Sequence, residues 1–120
     1  MSEKVIMLNE LAAEIHVISQ MKGFWPDGDR ERNPGEVLML IVTEVAEAME
    51  EIRDGYPVDL MRYTVDFKGI QKPIGVPSEL ADIIIRVLDA SAAWGIDIDA
   101  AVREKTAYNA QRERLHGRAR

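Results

Sequence analysis

Glu44 and Glu47 stand three residues apart, and Glu79 and Asp82 repeat that spacing further along the chain. On a helix, residues three apart project from neighbouring positions on one face, and Glu51 continues the first stripe. Both pairs lie within strongly apolar stretches, VLMLIVTEVAEAM and ELADIIIRVL, whose helices should be at least half buried. Partly buried acids need a partner: two like unit charges about 4 Å apart cost roughly 4 kcal/mol at an effective dielectric near 20. If the two helices face each other, four carboxylates converge and either protons or cations must neutralise them. An all-oxygen donor set suits a hard ion, and magnesium in particular binds through a few carboxylates together with substrate phosphates. The competing reading makes Glu44, Glu47, Glu50 and Glu51 a solvated face answered by lysines and arginines. A di-iron carboxylate centre wants Glu-x-x-His on each of two helices, and only Glu113 with His116 has that spacing.

The elements that must carry these acids follow from apolar spacing. Ser2 is a candidate cap for a first helix running to about Met21, with Leu8, Leu11, Ile15 and Ile18 on its core face and His16 at the boundary of that face. Gly23 ends it. The following loop, rich in turn formers, holds Phe24 and Trp25, which could stack a base or plug the end of a helical core. Asn33 and Pro34 form a cap and first-turn pair for a second helix over 36–53, with Leu38, Ile41, Val45, Ala48 and Ile52 as its stripe. That helix is apolar nearly all round in its first half, which implies a further packing surface such as another subunit. Residues 54–77 form a long connection with room for a small hairpin around Tyr63, Val65 and Phe67, and Lys68 and Lys72 within it could close over a ligand. Ser78 is placed to cap a third helix over 79–94, with Leu80, Ile83, Ile84, Val87 and Leu88 as core and Gly95 as its stop. A fourth helix opens at Asp97 or Asp99 and reaches about Glu113. The expectation is an all-α four-helix bundle in a single domain spanning 1–120, with 111–120 as a basic tail.

Composition narrows the function. Fifteen basic against twenty-one acidic residues give a net charge of −6 in a chain of 120 residues, which disfavours a nucleic-acid partner. There is no cysteine, so disulfides, thiol nucleophiles and thiolate metal sites are excluded. The amino-terminal stretch is interrupted by Glu3, Lys4, Glu10 and Glu14, so neither a signal peptide nor a membrane span is expected, and a cytoplasmic location is.

With these residues in place, the chain resembles the MazG-like nucleoside triphosphate pyrophosphohydrolases, the all-α NTP pyrophosphatases. Glu44-x-x-Glu47 followed by Glu79-x-x-Asp82 is similar to their metal motif. The run GVPSELADIIIRVLDASAAWGIDIDAAVREKTAYNAQRERLHG resembles their third and fourth helices, with Gly95-Ile96-Asp97 between them and Lys105-x-x-x-Asn109 beyond. The likeness spans residues 33–117, the 54–77 connection being its least diagnostic part. It implies magnesium-dependent cleavage of a nucleoside triphosphate between the α and β phosphates, with manganese as an alternative ion. Glu44, Glu47, Glu79 and Asp82 would then be catalytic metal ligands, and Lys105 and Asn109, with Trp25 of the aromatic loop, substrate contacts. A homo-oligomer, dimer or tetramer, is implied as well. The tail departs from the pattern, because relatives tend to carry Arg-Pro after Asn-x-x and here Arg112 is followed by Glu113. The alternative function is a non-catalytic helical adaptor that engages a protein through its apolar second helix and basic tail.

Overall fold

The structure, a computed structural model, describes residues 7–26, 28 and 32–112. These form helices α1 (Leu8–Met21) and α2 (Pro34–Arg53), strands β1 (Arg62–Val65) and β2 (Gln71–Ile74), and helices α3 (Val76–Ala93) and α4 (Ile98–Gln111). The protein is mostly helical with a small hairpin in the connection between α2 and α3, as the residue pattern predicts. The bundle itself is less regular than expected. α3 packs between α1 and α2, whereas α4 meets chiefly the start of α1 and buries none of its own residues. Among the described residues no helix is long and apolar enough to cross a membrane.

α2 starts as its sequence dictates: Asn33 accepts from the Glu36 backbone N–H at 3.2 Å and Pro34 opens the first turn. Its buried face is a correction, however. Of the expected stripe Ala48 is buried, while Leu38, Val45 and Ile52 are exposed and Val37 and Glu44 face inward instead. With apolar residues on nearly every side of its first half, the helical period there has no polar face to fix its phase, and the neighbouring helices decide which side is buried.

The same applies to α1, which buries Ala12, His16 and Ser19 and exposes Leu11 and Ile18, so His16 is a core residue rather than a boundary one. Ser2 lies outside the described residues. Met7 occupies the cap position with no side-chain bond, and the missing cap comes from the far end of the chain. Asp99 accepts from the backbone N–H groups of Leu8 and Asn9 at 2.9 and 3.2 Å. In return the Asn9 amide accepts from the Ile98 N–H at 3.0 Å and donates to Asp97 at 2.9 Å. Asp97 also caps its own helix through the Ala100 N–H. The orphan donors of two helix starts are thus satisfied together.

α3 begins at Val76, ahead of the expected Ser78 cap. Gly75 stands at the turn with φ of 112°, where a Cβ would lie 2.5 Å from the Leu60 carbonyl oxygen, so only glycine fits. Ser78 instead donates from the first turn back to the Pro73 carbonyl at 3.1 Å. Of the expected core positions Leu88 is buried, whereas Leu80 and Ile84 are exposed. Gly95, with φ of 67°, follows the helix end as predicted. The strands pair antiparallel from Arg62 opposite Ile74 to Val65 opposite Gln71. Arg62 ties the hairpin to α2 by contacting both Glu51 oxygens at 2.6 Å, its guanidinium stacked 3.6 Å over the Tyr56 ring. Glu51 is therefore engaged by the hairpin and does not extend the acidic stripe. The buried centre is small: Trp25, Val37, Ala90 and Ala93, with Trp94 against it.

Candidate metal centre

α2 and α3 run antiparallel, since Glu44 meets Arg86 and Asp82 near the middle of the pair while Val37 meets Ala90 and Ala93 further along. That pairing brings one carboxylate oxygen each from Glu44, Glu79 and Asp82 within 4.8 Å of one another. Glu44 is 6% exposed. Its Oε1 accepts from Arg86 Nε at 3.0 Å, while its Oε2 is buried with no hydrogen-bond donor, as is Oε2 of Glu79. Buried polar atoms are almost always satisfied, so two orphaned carboxylate oxygens in one cluster mark a place for a proton or a cation.

The electrostatics agree. Burial, followed by the nearness of the Glu44 and Glu47 carboxyls, raises the Glu79 pKa to about 8. Burial also raises Asp82, with the Glu44 charge adding and Arg86 opposing. Burial pushes Glu44 upward too, but the bond from Arg86 and the proton held by Glu79 outweigh it, and its pKa falls below the ordinary value. Glu47 is exposed and stands at the rim, where it acts on Glu79 without entering the close triad. Lys72 on β2 lies near enough for its charge to lower Asp82, whereas the Lys68 ammonium rests 5.7 Å from the Phe67 ring.

A cavity of about 360 Å³ opens beside Glu44 and Asp82. Its apolar walls are Ile15, Ile18, Phe24 and Ile85, and its polar wall continues along α3 through Arg86 and Asp89. Asp89 is held by three donors: His16 Nδ1 at 2.6 Å, Ser19 Oγ at 2.7 Å and Trp25 Nε1 at 3.1 Å. Of the two aromatics in the loop, Phe24 lines the cavity. Trp25 is 6% exposed and packs as a plug in the core, so it reaches the cavity through the lining residues it touches, Asp89, Ser19 and Arg32. Lys105 and Asn109 stand on α4, away from the acids of the same chain, with the Lys105 ammonium 5.4 Å from the Tyr108 ring. Arg112 approaches the same ring at 5.6 Å, and Glu113, Arg114, His116, Arg118 and Arg120 lie outside the described residues.

Residue spacing alone overlooks Arg86, Asp89, His16 and Ser19. The signal for the first two is present: positions 79, 82, 86 and 89 fall on one helical stripe. Comparison with family models, with curated proteins and with solved structures returns no match. What the site does is therefore read from its own geometry and chemistry.

Proposed function

We propose that the protein is a magnesium-dependent nucleoside triphosphate pyrophosphohydrolase of the MazG-like kind. It would cleave NTP or dNTP between the α and β phosphates to the monophosphate and pyrophosphate, acting as a homo-oligomer in nucleotide-pool house-cleaning. The observation that carries this reading is the triad of Glu44, Glu79 and Asp82, with two buried carboxylate oxygens lacking any donor. The donors are all oxygen and lie within 4.8 Å of one another, so a hard divalent ion is the kind they would draw together. Glu44, Glu79 and Asp82 would hold it, with Glu47 at the rim. When bound, such an ion neutralises phosphate charge and makes water more acidic.

The chain's own groups supply the rest. Arg86 fixes the Glu44 carboxylate in place and presents its remaining N–H groups beside the cavity, where an anionic or carbonyl oxygen can accept them. The Ile15, Ile18, Phe24 and Ile85 walls offer a flat base an apolar enclosure next to the acids. Lys72 adds positive charge from the hairpin side, and phosphoryl transfer depends chiefly on such positioning and charge neutralisation.

The adaptor reading draws on the exposed apolar residues of α2, yet it gives no use to the cluster of Glu44, Glu79 and Asp82. The full chain, incubated with a panel of nucleoside triphosphates and magnesium, should release pyrophosphate and monophosphate from at least one. Glu44→Gln and Asp82→Asn should each lower turnover by roughly 10²–10³-fold, the scale of losing one preorganised electrostatic partner, with the helical circular dichroism spectrum unchanged. Full activity in both variants, or no release from any nucleotide, would falsify the assignment.

A further inference from the structure

We infer that Arg86 limits the acidic cluster to one divalent cation, its guanidinium standing in for the charge of a second. This rests on the metal-site reading above and concerns a residue which that reading does not need for ligation.

The first ground is the state of Glu44. Its side chain is 9% exposed and its Oε1 is taken by Arg86 Nε at 3.0 Å, which leaves Oε2 as its one unpartnered oxygen. Two-ion phosphoryl-transfer sites hold their ions about 3.5–4 Å apart, a separation that a carboxylate can span with its two oxygens. Glu44, the most buried of the three acids, has only one to give while Arg86 is in place.

The second ground is charge. Glu44, Glu79 and Asp82, all ionised, bring three negative charges and Arg86 returns one positive, so a single divalent ion balances the cluster. A second ion would leave it strongly positive in a half-buried setting where repulsion is poorly screened. Glu47 at the rim also acts on Glu79 and Lys72 on the hairpin acts on Asp82, and these two opposite charges offset each other in the count. The third ground is position. Arg86 follows Asp82 by one helical turn on the stripe that faces α2, so its guanidinium is held at the cluster by α3 itself rather than by a loop.

The test counts ions rather than turnover. Manganese is titrated into the full chain without nucleotide, and free ion is followed by electron paramagnetic resonance for the wild type, Arg86→Gln, Arg86→Met and Arg86→Lys. The expected result is one ion per chain in the wild type and in Arg86→Lys, which keeps the charge, and two in Arg86→Gln and Arg86→Met. Circular dichroism checks the fold of each, and Arg86→Met retains the packing of the side-chain stem if Arg86→Gln loses structure. Two ions in the wild type, or one in both folded neutral variants, overturns the inference while the metal site stands. No binding by any of the four proteins overturns the metal site and the inference together.

Discussion

Glu79 shows how much one side chain can reveal about what the fold is for. In the folded protein it keeps its proton up to about pH 8, against an ordinary value of 4.5. Between those values the folded state binds a proton that the unfolded chain has released, so the stability linked to this group declines as pH rises toward 8. Asp82 is shifted in the same direction, and Glu44 in the opposite one. Chelator-treated protein should therefore melt at a lower temperature at about pH 8 than at about pH 5, by roughly 4 °C for each 1 kcal/mol lost. Glu79→Gln should flatten the profile, and so should saturating magnesium, because a cation replaces the proton. A wild-type melting temperature that does not change with pH under chelation would rule out this linkage. Glu44, Glu79 and Asp82 are legible in the sequence because carboxylates at helical spacing inside apolar runs are costly to bury unless a proton or a cation neutralises them. Arg86 and Asp89 lie on the same stripe as Glu79 and Asp82, yet spacing alone does not separate a charge held in a cluster from a solvated one.

Among the elements, the boundaries of α2 and the stop of α3 follow from local chemistry, and the buried faces do not. Asn33, Pro34 and Gly95 act within one turn, and the structure places them as the sequence predicts. The inward side of α1 and α2 depends on partners far along the chain, so residues such as Leu38 and Ile18 lie outside while Glu44 and His16 lie inside. The network at Asp89 joins these elements, linking α1, the aromatic loop and α3 through His16, Ser19 and Trp25. Trp25→Ala should cost about 3–5 kcal/mol through the lost packing. Trp25→Phe, which keeps an aromatic ring but leaves Asp89 one donor short, should cost about 1.5–3 kcal/mol. Urea unfolding measures both, and a Trp25→Phe variant as stable as the wild type would show that the indole N–H contributes nothing.

At the scale of the whole molecule the chain is not closed upon itself. Among the described residues no large side chain is fully buried. The Cα radius of gyration is 17.3 Å, where a compact chain of this length has about 14 Å. On α2 the exposed residues Leu38, Val42, Val45, Met49 and Ile52 follow a four-three-four-three spacing, the seam by which helices pair side by side. Sedimentation should accordingly show more than one chain per particle, and Val42→Glu with Met49→Glu should give single chains of unchanged helicity. A wild type that sediments as one chain would count against the homo-oligomer. The crossed bonds among Asn9, Asp97 and Asp99 carry another consequence, because they join positions 88 to 90 residues apart. The start of α1 is not finished until Asp99 has been made and has left the ribosome. α1 must therefore wait, its first turn frayed, for the opening of α4 to arrive and complete it.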